Sequence, residues 1–334
     1  MIARDARLRV IALLLVPGFV GHFIQLASED VPWAAWARMR YWNTPGWHLL
    51  LPMWVPAVIA AGLAIAVIGL AIRRTRPWMW AVVGLYLAHY LTYPYRIRNH
   101  MSHMAFEMTM LGGVWLLGRL SGASDWRGRG PAATKVDRWA VTGMGAVLCV
   151  TYVFAGLHKI NDMFLSFDPD RSSAVEGLTT FWIYGDLGSV PPRWAMAVAT
   201  YGTVAIELCA PLVAWRVPKL RVPAVLVLFA FHFPHVAVMN VADYPMIASA
   251  FYPALFSPGH FRLLLRHARR PNAWNVTGAS LGIAAQLWWI PWWGGLTILG
   301  IFVMALWGWA GGSMLRMVWH GRRLRALVGR RALT

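Results

Sequence analysis

Residues 49–72 read LLLPMWVPAVIAAGLAIAVIGLAI and hold no charged side chain. A helix needs about 20 mostly apolar residues to cross a bilayer, so this stretch alone is long enough to span one. Similar stretches recur at roughly 8–28, 78–95, 101–119, 139–158, 194–215, 222–240, 243–257, 275–292 and 295–318, which makes ten candidates. The eighth, DYPMIASAFYPALF, is short and carries Pro245 and Pro253. Proline breaks the helical hydrogen-bond ladder, so this segment is expected to be re-entrant or strongly kinked. The boundary between the last two stretches, at PWWGG, is soft. The expected fold is all-α: a polytopic transmembrane bundle of nine or ten membrane segments in a single domain, 1–334.

Composition points the same way. Of the 334 residues, 58% are hydrophobic and only 13% charged, and 21 are tryptophan. A soluble domain carries about twice that share of charge, and tryptophan favours the membrane–water boundary. The net charge of +18 could suggest a nucleic-acid partner. The basic residues form no single stripe, however, and come in short clusters between apolar stretches, so no nucleic acid is expected. The implied partner is the lipid bilayer itself.

The clusters orient the chain. With a cytoplasmic N-terminus and every segment crossing, the inner side receives Arg4–Arg9, Arg73–Arg76, Arg119–Arg138, Arg216–Arg221, Arg262–Arg270 and the arginines from Arg316 onward. That places 24 of the 31 Lys and Arg inside and 7 outside, as the positive-inside rule requires. Both termini are therefore expected in the cytoplasm. No cleavable signal peptide is evident, and 8–28 reads as the first membrane helix. The excess of Arg over Lys, with abundant Ala and Gly, fits a GC-rich bacterial genome and a multi-pass protein of the bacterial cytoplasmic membrane.

Two outer segments are long. Glu29–His48 is Trp-rich and is expected to lie along the membrane surface. Lys159–Arg193 is the most acidic part of the chain, and its FWIYGDLG portion is expected to dip toward the bilayer. Cys149 and Cys209 lie in apolar stretches and read as small buried hydrophobes. No CxxC, GxGxxG, Walker A, HExxH or GxSxG pattern occurs, and Asn275-Val-Thr277 matches a glycosylation sequon by spelling only.

Ionisable groups inside a membrane are costly and usually have a purpose or a partner. Five places qualify. His100, His103 and Glu107 sit at i, i+3 and i+7, on one helix face. Tyr152-Val-Phe-Ala-Gly-Leu-His158-Lys159 ends the fifth stretch; Lys159 either snorkels to the interface or, against apolar walls, serves as a base. His232 and His235 lie in the outer half of the seventh stretch, with Asp243 and Tyr244 just beyond. Glu207, in TVAIELCAPL, must be protonated or paired; counted along its stretch it falls toward the inner half. His89 with Tyr90 is a supporting place.

Three of these blocks resemble a known family. Over about 80–265 the chain is similar to the transmembrane domain of the vitamin K-dependent γ-glutamyl carboxylases and their bacterial relatives, the horizontally transferred transmembrane (HTTM) family. Asn99-His100 opens a membrane helix as the family's Asn-His does. YVFAGLHKI, 152–160, resembles its Tyr-x-x-Ala-Gly-x-x-Lys-Leu block. Residues 227–258, from VLFAFHFPH to ALFSP, resemble its Phe-His block and Phe-x-Ser-Pro ending. The resemblance implies a reduced quinone, of menaquinone or vitamin K type, as cofactor. It implies Lys159 as the base, His100 as its assistant and His232 as part of the pocket. His103, Glu107, His235, Tyr152 and Tyr244 are then expected around the quinone. The carboxylases carry a large additional domain that engages a protein substrate; no counterpart to it is expected here.

Three functions follow as expectations: a quinol-dependent membrane enzyme; a non-catalytic membrane protein acting in transport, immunity or assembly; and a metal-dependent membrane oxidase using the two HxxH pairs.

Overall fold

The computed structural model describes residues 2–28, 52, 54–92, 99–166, 192–238, 243–289 and 297–331. Among them every regular element is helical: α1 (Ala6–Ser28), α2 (Trp54–Arg73), α3 (Arg76–Thr92), α4 (Asn99–Leu120), α5 (Ala133–His158), α6 (Asp162–Leu165), α7 (Arg193–Arg216), α8 (Arg221–Val238), α9 (Asp243–Phe251) with a 3-10 turn (Tyr252–Leu255), α10 (Pro258–Ala268), α11 (Ala273–Trp289) and α12 (Thr297–Arg331). The described residues of each of the ten apolar stretches lie mostly on helices. Among the described residues four helices are long and apolar enough to cross a membrane: α2, α5, α7 and the Ile301–Gly321 part of α12. α9 has nine residues, about 13 Å of helix at 1.5 Å per residue, well short of a bilayer core. It continues into the 3-10 turn that holds Pro253, and its described side chains are buried in protein. The Glu29–His48 and FWIYGDLG expectations fall outside the described residues.

The chain divides into two compact units, 1–148 with 246–254, and 149–245 with 255–334. α5 contributes its N-terminal part to the first and its C-terminal part to the second. In the first unit the basic clusters gather at one end. The Arg4 amide donates to Asp137 Oδ2 at 2.6 Å, Arg76 Nη1 lies 3.2 Å from Asp137 Oδ1, and the Arg119 guanidinium sits over Trp126. Arg74, at φ 50°, makes the tight turn between α2 and α3. In the second unit the same grouping recurs. Arg221 Nη1 is 3.5 Å from His260 Nδ1, so the chain that leaves along α8 has returned to its starting level by residue 260. His267 stacks on His320, which accepts from Arg316 Nε at 3.3 Å.

Side-chain size explains the closest crossing. Gly278 of α11 faces Gly308 of α12, Gly282 faces Met304 and Gly312 faces Trp274, so tightly that a methyl on any of these glycines would meet the opposing backbone. Small residues at spacing four let helix backbones approach in this way. The turn into α11 is capped by Asn272 and Asn275; the buried Asn275 amide donates to the His267 and Arg270 carbonyls. The asparagine of the apparent sequon is thus a structural cap.

Candidate functional site

Lys159 is held by local structure. α5 ends at His158, and the Lys159 and Ile160 amides turn back to the Gly156 and Leu157 carbonyls at 3.2 and 3.0 Å. Asn161 then stops the chain. Its Nδ2 donates to the His158 carbonyl at 2.6 Å, and its Oδ1 accepts from the Phe164 amide as the N-cap of α6. An asparagine at an N-cap satisfies a helix-end donor in this way. The Lys159 ammonium therefore leaves the helix end at a set place, 5.8 Å from the centre of the Phe164 ring.

Its partner is Glu207. Nζ donates to Oε1 at 2.9 Å and Oε2 at 2.7 Å, and lies 3.4 Å from the Ala155 carbonyl. The Lys159 side chain is 26% exposed and that of Glu207 7%. The approach depends on Gly156, where a methyl would press on Leu208 and the Glu207 Cβ. Lys159 is thus level with the middle of α7. The depth assigned to Glu207 from its own stretch had separated the two residues; α5 ends partway along α7, and this brings them together. Pro211 sits inside α7, four residues after Glu207. It has no amide hydrogen to bond the Glu207 carbonyl, so the ladder is interrupted at the carboxylate. The Cys149 thiol, 3.3 Å away, donates to the Pro211 carbonyl.

One face of α5 carries a second polar pair. Tyr152 lies two turns before Lys159, and its hydroxyl hydrogen-bonds His232 Nε2 of α8. Both side chains are buried, so the contact fixes the imidazole in its apolar surroundings. Tyr152, Lys159, Glu207 and His232 all belong to the second unit.

His103 and Glu107 belong to the first unit. Both are fully buried on α4, with His103 Nε2 3.8 Å from Glu107 Oε1. The His103 ring meets the edge of Phe251. The Glu107 oxygens have no hydrogen-bond partner among the described residues. His89 faces His22 at 3.2 Å, and Tyr90 pairs with Ser102 at 3.1 Å. The side chains of His100, His235 and Tyr244 lie outside the described residues. Among the described residues no group of three or more His, Cys, Asp and Glu converges as a metal would require. Cys149 is buried as expected, but Cys209 is exposed.

No family model, no curated protein and no solved structure matches this chain.

Proposed function

We propose that the chain is a multi-pass protein of the bacterial cytoplasmic membrane, of the HTTM type, with nine or ten membrane segments and both termini in the cytoplasm. Its function is quinol-dependent chemistry with Lys159 as the base. The observation that carries this reading is the Lys159–Glu207 pair: an ammonium with two short bonds to a buried carboxylate, still one-quarter exposed amid apolar surface.

The pair can make a base of an amine. Lys159 Nζ holds a proton against Glu207 Oε2 at 2.7 Å. With that proton passed to Oε2 the pair stays neutral overall, and Nζ presents a lone pair. A neutral amine is a competent general base. A reduced quinone supplies a phenolic hydroxyl whose proton Nζ can take. The surroundings suit such a molecule, because Leu157, Ile160 and Met163, neighbours of Lys159 in the chain, expose apolar surface. Tyr152 holds His232 in one orientation, and the family resemblance gives His232 a place in the quinone pocket. By the family resemblance His100 would assist.

The test is oxygen uptake by the purified protein with reduced menaquinone. Uptake in the native protein that is lost in Lys159→Ala supports the reading; uptake indifferent to that change overturns it. One observation favours a non-catalytic role in transport, immunity or assembly. Lys159 and Glu207 satisfy one another's charge through two short bonds, as a purely structural ion pair does. Full cellular function in a Lys159→Ala/His100→Ala double variant would select that role.

A further inference from the structure

The basic end of the second unit is chemically one-sided. Arg216, Lys219, Arg262, Arg266, Arg269 and Arg270 are all exposed there. No Asp or Glu follows Asp243 through Thr334, and none lies between Glu207 and Asp243. These cations therefore have no acidic neighbour from their own stretches of chain. α10 divides cleanly around its axis. Phe261, Leu264, Leu265 and Ala268 form the covered face, tied to α12 by the Trp309 Nε1 donor on the Ala268 carbonyl at 2.8 Å. Arg262, Arg266 and Arg269 form the open face. Ser257 caps the helix through the His260 amide, with Pro258 at its first position, so this short helix has a defined start and a defined roll. Exposed Leu220, Leu263, Trp274 and Trp319 are interleaved with the cations. Exposed cations without an acidic neighbour in sequence, set among exposed leucine and tryptophan, suit a helix that lies in a membrane interface.

We propose that this face, centred on α10, binds the phosphate headgroups of anionic phospholipids. The arginines of the open face meet the phosphates, and the exposed leucine and tryptophan side chains enter the acyl boundary. A basic residue near an anionic surface attracts it with an energy equivalent to a preference of about five-fold. A soluble acidic protein would match the charge, but it would leave the interleaved apolar side chains in water. The proposal rests on the membrane reading above and is independent of the Lys159 chemistry.

The experiment reconstitutes the full chain into vesicles of equal phosphatidylglycerol and phosphatidylcholine, re-extracts it, and counts the lipids retained per protein by native mass spectrometry. Phosphatidylglycerol is expected to exceed phosphatidylcholine about five-fold or more, and the excess should shrink as salt is raised. The variant Arg262→Gln/Arg266→Gln/Arg269→Gln/Arg270→Gln should approach parity. Arg73→Gln/Arg74→Gln, exposed cations of the first unit, should keep the excess. Equal retention of the two lipids by the native chain overturns the proposal, as does an excess that survives salt or the four substitutions. Failure to enter vesicles at all overturns the membrane reading with it. A preserved preference in a chain without quinol activity leaves this proposal standing and removes only the previous one.

Discussion

Among the described residues two ion pairs join helices, and they are built differently. In the first unit Arg76 of α3 meets Asp137 of α5 with side-chain exposures of 1% and 0%. The Trp115 ring lies 3.9 Å from the guanidinium carbon, and its Nε1 donates to Asp137 at 3.2 Å. The Arg4 amide supplies a further donor, and the loop at Gly128 closes over the arginine. In the second unit Lys159 meets Glu207 with a quarter of the lysine side chain still exposed. The first pair uses a cation that stays charged and encloses it. The second leaves its cation partly open to the surface. Enclosure marks a fastening; the open side of Lys159 is what the proposed base chemistry requires.

The sharpest way to break the contrast is to remove one acid from each pair. Asp137→Ala leaves a buried guanidinium without its counter-charge, which costs about 3–5 kcal/mol. The folded protein should be largely lost, as read by thermal unfolding in detergent. Glu207→Gln keeps the shape and leaves an amine with access to solvent, so its cost should stay below about 2 kcal/mol. Equal destabilisation by the two changes would erase the distinction.

Lys159→Ala tests the same contrast from the functional side. General-base catalysis contributes at least about a hundred-fold in rate, so quinol-dependent oxygen uptake should fall by that order. The unfolding temperature should move by only a few degrees. A large fall in stability with no separate loss of turnover would make the second pair a fastening like the first.

The third test loosens the enclosure alone. Gly128 has φ 73°, and a methyl there would collide with Arg76. Gly128→Ala should cost about 1–3 kcal/mol through backbone strain, less than loss of the counter-charge. An unfolding temperature unchanged by the substitution would show that the loop does not enclose the pair.

The two pairs also differ in how far they could be read in advance. The ten apolar helices were legible, because an apolar stretch of this length has few alternatives to a helix; α6 and the basic α10 lie between those stretches and were not. The short ninth helix was legible as an oddity through Pro245 and Pro253. Lys159 stood out by its position at the end of an apolar stretch, and Tyr152 and His232 by theirs. Their partnerships did not, since 48 residues separate Lys159 from Glu207 and pairing depends on where α5 stops against α7. Arg76 was hidden for a different reason. It sits beside Arg73 and Arg74 in a cluster that reads as solvent-exposed charge, and only the fold of 121–132 buries it. Gly122, Gly128 and Gly130, all at positive φ, were the available signal for that loop.

The smallest expected effect lies at the edge of this loop. Asp125 Oδ1 accepts from the Arg129 and Arg127 amides at 2.7 and 2.9 Å, and Oδ2 accepts from Arg129 Nε at 3.1 Å. The Arg129 amide above all, with the Arg129 guanidinium and the Arg127 amide, holds the Asp125 carboxyl below its usual range, although partial desolvation opposes the shift. A carboxyl whose pKa is lowered by folding adds stability above the unfolded value. That contribution is lost as pH falls through the folded one. The amides of residues 127 and 129 should therefore keep constant hydrogen-exchange protection, after correction for intrinsic rates, from neutral pH down to the ordinary carboxylate range, and lose it below. Asp125→Asn should weaken that protection at neutral pH while leaving Trp115 and Arg76 packed, because the buried pair draws its counter-charge from Asp137. Should the Asn variant also unfold the Arg76 enclosure, the loop and the pair would be one cooperative unit, and the contrast between the two pairs would extend to the whole end of the first unit.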